Sequence, residues 1–115
     1  MPSKDDHLAR AQHNEFFAQS TDNPFFDWKL TGIFYSALQY VDAYLATLGV
    51  HPPTHAARLT YVERSAKLKR IRRDYRDLLN ESRTARYEPP VVFNQKDTII
   101  AQHKLDAIKK AILPL

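Results

Sequence analysis

Positive charge is concentrated in one part of this 115-residue chain. Residues 58–86 contain ten Lys or Arg and four acidic side chains, whereas the rest of the chain contains seven basic and nine acidic ones. On a helical wheel, the basic residues that lack an acidic neighbour form one flank, about 100° from the apolar seam: Lys69, Arg72, Arg76 and Arg83. Tyr87 joins this basic flank if the helix reaches it. An unpaired basic stripe beside an aromatic ring suits phosphates and an unstacked base. The alternative is a stripe that only keeps a helix surface soluble.

Arg86 differs from the flank because it falls in the apolar seam of the same predicted helix. A buried, unpaired charge is costly, so this arginine must find a partner or extend to solvent. Asp42 is the acidic residue best suited to an interior position, and an Arg86–Asp42 pair is one expectation. The alternative is that Arg86 lies in a frayed helix end.

A histidine and an arginine mark another predicted helix start. His55 and Arg58 follow a proline-containing connection in which Thr54 can cap the helix, and free backbone N–H groups at such a start suit an anion. Two prolines lie between His51 and His55, which prevents the shared helical face of a metal-binding pair, so no metal site is predicted. The chain has no Ser/His/Asp order, glycine-rich phosphate loop or paired-carboxylate motif, and no cofactor is expected.

The element that must position these groups is a predicted helix from Asp27 to Leu48. Its proline-free length corresponds to about 33 Å. Apolar residues recur at alternating steps of four and three, the spacing of one helix face: Leu30, Phe34, Ala37, Val41, Tyr44 and Leu48. A second side carries Trp28, Tyr35 and Asp42, seven residues apart. We therefore expect a central helix that is contacted on more than one side.

Small side chains form a strip next to this second side: Gly32, Ser36, Ala43 and Ala46. A glycine inside a helix costs about 1 kcal/mol relative to alanine, which calls for a packing reason. The strip would let another helix approach closely. That helix could belong to the same chain or to a second copy across a two-fold axis.

The remaining sequence predicts a helical domain. Capping-box patterns at Ser3 and Asn94 open a first helix that extends to about Gln19 and a last helix after residue 94. A helix over residues 55–65 could be nearly continuous with the next one, which ends near Tyr87, and the prolines that follow favour an extended segment at 88–93. The sequence thus predicts a single domain, 1–115, that is an all-α, antiparallel up-and-down bundle of four to five helices.

Composition limits the class of protein further. The absence of cysteine excludes disulfides and thiolate metal sites. No apolar run is long enough for a signal peptide or a membrane span, so a cytoplasmic protein with no membrane partner is expected.

The chain resembles the HEPN domains (higher eukaryotes and prokaryotes nucleotide-binding) over roughly residues 8–112. The resemblance lies in the helix DWKLTGIFYSALQYVDAYLA, in His55 of the following connection, and in the sequence Ser-Arg-Thr-Ala-Arg-Tyr at 82–87. It implies a helical bundle, often a homodimer, with a functional cleft near the dimer interface. Trp28, Tyr35 and Asp42 would then form a cleft floor or dimer face.

The family comparison also limits the expected chemistry. Many members are metal-independent ribonucleases of toxin or defence systems that use an arginine followed, after four to six residues, by a histidine. No arginine here has a histidine at that spacing, so we expect a non-catalytic domain that binds RNA or a nucleotide in a basic cleft. The expected binding residues are His55, Arg58, Arg72, Arg76, Arg83, Arg86 and Tyr87. The alternatives are a ribonuclease with relocated groups, such as His55 with Arg83 across a dimer, and a protein-interaction module that pairs with a nucleotidyltransferase.

Overall fold

The protein is an all-α helical bundle, as predicted. The computed structural model describes residues 1–20, 22, 24–87 and 92–115. Its helices are α1 (Lys4–Gln19), α2 (Phe26–Thr47), α3 (His55–Arg64), α4 (Arg72–Tyr87) and α5 (Gln95–Ile112), with a 3₁₀ turn at Lys69–Ile71 before α4. Within the described ranges, no helix combines the length and the apolar character that a bilayer span requires. Most of the predicted extended segment at 88–93 lies outside the described residues.

Local hydrogen bonds begin three of the helices where the sequence predicts. Ser3 and Asp6 form a reciprocal capping box at α1, and Asn94 and Asp97 form another at α5. The hydroxyl of Thr54 accepts a hydrogen bond from a backbone N–H in the first turn of α3. These bonds satisfy N–H groups that have no partner within the helix.

Helix α2 occupies the centre of the bundle and contacts α1, α4 and α5. The predicted seam is buried along most of its length, at Leu30, Phe34, Ala37 and Val41. Tyr44 is only half-buried, and Leu48, which follows the last residue of the helix, is 59% exposed.

The strip of small residues on α2 receives α1 of the same chain. An ideal Cβ at Gly32 would lie 3.0 Å from Cδ1 of Phe17, so glycine permits this close contact. Further along α2, the buried hydroxyl of Ser36 donates a hydrogen bond to the carbonyl oxygen of Ala11 over 2.8 Å. Of the two predicted partners for this strip, the intramolecular one is therefore correct at these positions.

Helix α1 buries a carboxylate and exposes the neighbouring aromatic ring. Glu15 is buried, whereas Phe16 is 81% exposed. The Glu15 carboxylate accepts hydrogen bonds from the hydroxyl of Tyr40 at 3.1 Å, from Nζ of Lys109 at 3.0 Å and from Nε2 of Gln102 at 3.2 Å. This network links α1 to α2 and α5.

The nearly continuous helix expected over residues 55–87 is interrupted. Ser65 adopts an extended conformation that ends α3, and the chain enters the 3₁₀ turn before α4 begins. Leu68 in this interruption is fully buried. Burial of its side chain offsets the helical hydrogen bonds that the interruption removes. As a result, α3 and α4 are separate elements that present their side chains independently to α2.

Candidate functional site

Arg86 lies half-buried between two tyrosine rings where the end of α4 meets α2. Its guanidinium carbon is 5.2 Å from the ring centroid of Tyr35 and 5.0 Å from that of Tyr87. The guanidinium donates hydrogen bonds to the hydroxyl of Tyr35 and, over 3.1 Å, to the carbonyl oxygen of Ser82. Both sequence expectations for Arg86 are therefore wrong, because it neither pairs with Asp42 nor frays into solvent.

Asp42 pairs instead with Arg58, the first arginine of α3. Nε of Arg58 lies 2.7 Å from Oδ1 of Asp42, and a second guanidinium nitrogen lies 3.1 Å from Oδ2. The two residues are 8% and 7% exposed, so this is a buried, bidentate ion pair. The expected role of Arg58 as a phosphate contact is wrong, because Asp42 neutralises it inside the bundle. Asp42 does line a cleft, but it is one between the start of α1 and the connection from α2 to α3.

The Arg58–Asp42 pair holds the first turn of α3 against α2 and so places His55. The imidazole centroid lies 5.8 Å from the ring of Phe34 and 6.3 Å from that of Tyr35. Nδ1 of the imidazole is buried and has no hydrogen-bond partner among the residues that the structure describes. His55 thus packs against the aromatic residues of α2.

Burial and positive charge keep the His55 imidazole neutral. Burial lowers the pKa of His55 from its ordinary value of 6.5, and Arg58, Arg86 and Arg83 lower it further, while Asp42 opposes them. Arg58 lies in the same turn of α3 as His55, and Arg86 contacts Tyr35, whose ring centroid is 6.3 Å from that of the imidazole. Arg83 lies one turn before Arg86 on α4. We call Tyr35, His55, Arg83, Arg86 and Tyr87 the arginine–tyrosine site.

The basic flank continues from this site along α4 but is not free of acids. Arg72 and Arg83 are exposed and, within the described part of the chain, neither forms an ion pair. Eleven residues separate them, which corresponds to about 16 Å of helix. Arg76 is different, because it pairs with Glu63 of α3 over 3.0 Å at the surface. A helical wheel of one segment cannot show an acid that another helix supplies.

Ser82 is a residue of the site that sequence reasoning misses. It is fully buried, its carbonyl oxygen accepts from Arg86, and its hydroxyl lies 3.5 Å from the same guanidinium. The available signal is its spacing, since residues four apart on a helix are neighbours. Ser82 therefore helps to hold the guanidinium in place.

Trp28 does not belong to the arginine–tyrosine site. It is 56% exposed and lines a separate cleft near the start of α2. The side of α2 predicted as one cleft or dimer face thus has three environments: exposed at Trp28, half-buried at Tyr35 and buried at Asp42.

The fold and the site together define an all-α helical bundle with a surface lined by arginine and tyrosine. Among the described residues, no group of three or more His, Asp or Glu side chains is arranged to hold a metal ion. Comparisons with protein-family models, with curated proteins and with solved structures find no match for this chain.

Proposed function

We propose that this protein is a HEPN-like bundle that binds single-stranded RNA or a nucleotide at the arginine–tyrosine site without cleaving it. The observation that carries the proposal is the position of Arg86, whose guanidinium carbon lies within 5.2 Å of the ring centroids of Tyr35 and Tyr87, with no carboxylate partner among the described residues. Arg83, one turn earlier, is exposed and likewise unpaired in that part of the chain. Two guanidinium groups are therefore available to an anionic ligand.

The chemistry of these groups favours a nucleotide over a simple anion. A guanidinium is planar and delocalised, so it can donate two hydrogen bonds to a phosphate while its face rests on an aromatic ring. Tyr87 is 72% exposed and offers a ring face on which an unstacked base can lie. Phosphate and base contacts are thus adjacent.

The basic flank would extend these contacts along a strand. In this proposal Arg83 and Arg86 bind phosphate beside Tyr87, and Arg72 binds a more distant phosphate. Arg76 contributes by leaving its surface ion pair with Glu63 and binding a phosphate of the ligand. Breaking this pair costs little free energy, because such exposed pairs are weak. His55 supplies a neutral polar contact.

Binding of a fluorescent single-stranded RNA, measured by anisotropy at several salt concentrations, tests the proposal. Each phosphate contact to a single strand contributes about −0.7 to the slope of log affinity against log salt. Arg83→Gln should therefore make the slope shallower by about 0.7. Tyr87→Ala should weaken binding at least about fivefold at every salt concentration, because base stacking is lost.

Arg10→Gln is the matched control, since Arg10 is an exposed arginine on α1 that belongs neither to the arginine–tyrosine site nor to the basic flank. It should leave the slope unchanged. The proposal fails if the protein does not bind RNA or mononucleotides at low salt. It also fails if Arg83→Gln and Arg10→Gln have equal effects.

Cleavage of RNA is a second candidate function, for which His55 would supply the base. Its imidazole lies 6.3 Å from the ring of Tyr35 and can accept a proton, although its lowered pKa makes it a weaker base than an ordinary histidine. Incubating RNA with protein in EDTA distinguishes the two functions. Cleavage that is lost in His55→Ala would establish the ribonuclease, whereas the binding proposal expects intact RNA.

The resemblance also implies a homodimer and a partner nucleotidyltransferase, and both stay predictions. Sedimentation velocity with and without RNA measures the oligomeric state directly. Co-purification from the native cell tests for the nucleotidyltransferase.

A further inference from the structure

We infer a second ligand site, a cleft between the end of α1 and the start of α2 that binds an alkylated ammonium group. The cleft has a volume of about 380 Å³ and opens to solvent. Its lining combines three aromatic rings, a hydroxyl and a carboxylate: Phe17, Ser20, Asp22, Phe25 and Trp28. The inference is independent of RNA or nucleotide binding.

The aromatic rings of the cleft are large and exposed. Phe17 is 44% exposed, Phe25 62% and Trp28 56%. Exposed aromatic groups that are contiguous mark binding surfaces, because scattered apolar residues rather than clusters are the norm on a monomer. The rings are also positioned by the fold, since a side chain at Gly32 would meet the ring of Phe17. The glycine that admits α1 thereby sets one wall of the cleft.

The charge near the cleft is the reverse of the charge on the protein as a whole. The net charge of the chain is +4, yet residues 11–28 contain no Lys or Arg and three acids. Glu15 is compensated by Lys109 inside the bundle. Asp22 lines the cleft, and Asp27 lies in the first turn of α2 nearby. Asp22 therefore places a carboxylate in the cleft, while Lys29, in the first turn of α2, lies 5.9 Å from the ring centroid of Phe26.

Aromatic faces together with one carboxylate are the groups that recognise an ammonium ion bearing methyl groups. The negative faces of Trp and Phe rings attract the cation, and its methyl groups are apolar enough to lie against them. Asp22 adds a Coulomb attraction. A purely apolar side chain would use the rings but gain nothing from Asp22. A phosphocholine group would bring its phosphate close to the carboxylate, so an alkylammonium stem such as that of trimethyllysine fits best.

Trp28 is the only tryptophan in the chain, so its fluorescence reports directly on the cleft. We would titrate the protein at constant ionic strength with Nα-acetyl-trimethyllysine amide and with its neutral tert-butyl isostere. We expect saturable quenching by the cation, with an affinity at least about tenfold higher than for the isostere. Phosphocholine should bind more weakly than the trimethyllysine probe.

Substitutions at Asp22 and at Gly32 separate the role of charge from that of shape. Asp22→Asn should weaken binding of the cation about fivefold and leave the isostere unaffected. The matched control is Asp5→Asn, an exposed acid in the first turn of α1, which should change neither affinity. Gly32→Ala should keep the helix and displace the ring of Phe17, lowering affinity for both probes.

Several results would overturn the inference. Equal affinity for the cation and its isostere would make the cleft a purely apolar pocket. Tighter binding of phosphocholine would contradict the role of Asp22. A change in Trp28 emission on dilution of the free protein, coincident with dissociation of a dimer, would show that a second copy covers the cleft.

Discussion

Removing the carboxylate of Asp42 should destabilise the protein severely. Asp42→Ala leaves the guanidinium of Arg58 inside the bundle without a carboxylate partner and with a weak bond to the carbonyl oxygen of Pro52, at 3.4 Å. An unpaired charge at a buried site costs about 3–5 kcal/mol. For a domain of this length, 1 kcal/mol corresponds to about 4 °C, so the melting temperature should fall by about 12–20 °C.

A compensating change distinguishes the lost charge balance from lost packing. Replacing both partners, as Asp42→Leu with Arg58→Met, removes the charge and the counter-charge together. Apolar replacement of a buried ion pair is often neutral or stabilising. The double variant should therefore melt well above Asp42→Ala, within a few degrees of the natural protein.

The surface pair Arg76–Glu63 is a matched control in the same molecule. Its side chains are 49% and 41% exposed, and such pairs contribute about 0–1 kcal/mol. Glu63→Gln should therefore change the melting temperature by less than about 4 °C. Thermal unfolding followed by circular dichroism measures all variants. The reasoning is refuted if Asp42→Ala behaves like Glu63→Gln, or if the two substitutions of the double variant destabilise additively.

Two further predictions concern buried polar groups. Glu15→Ala should lower the free energy of unfolding by about 2–3 kcal/mol in urea titrations, because Tyr40 and Lys109 lose their hydrogen-bond acceptor. Glu15→Gln should lower it less, because the amide oxygen can still accept. Equal losses for the two variants would contradict the prediction. His55→Asn should reduce the loss of stability between pH 7 and pH 5. The pKa of His55 is lowered in the folded protein, so below pH 6.5 the unfolded chain binds more protons than the folded one. The free energy of unfolding therefore decreases as the pH is lowered. Parallel pH profiles for His55→Asn and the natural protein would refute it.

The features that the sequence predicts correctly depend on near neighbours in the chain. The capping boxes at Ser3 and Asn94 require side chains only three residues away. The seam of α5, with Ala101 and Ile108 fully buried, follows from helical periodicity alone. Fold class and helix positions are therefore accessible from one sequence.

The pairings between helices are not accessible in the same way. The sequence correctly indicates Asp42 as a buried acid, but it does not identify the partner, which is Arg58 rather than Arg86. The partner depends on how α3 and α4 are rotated against α2. The rotation of α3 against α4 also brings Glu63 next to Arg76. The flank that seemed free of acids therefore contains a paired arginine. Glu15 lies on the inner face of α1, yet no residue near it in the sequence indicates that Lys109, 94 residues later, neutralises its carboxylate.

The side of α2 that carries Trp28, Tyr35 and Asp42 shows how one periodic stripe acquires separate roles. Two residues that are seven positions apart lie on nearly the same face of a helix, about 10 Å apart along its axis. Asp42 meets Arg58 and becomes part of the core, while Tyr35 meets Arg86 and orients it at the surface. Trp28 stays largely exposed and lines the aromatic cleft. Helix α2 thus connects a structural ion pair to two candidate binding sites of opposite charge preference. Substitutions at Trp28 should therefore leave RNA binding intact, whereas Tyr35→Phe should weaken it because Arg86 loses a hydrogen bond that holds it.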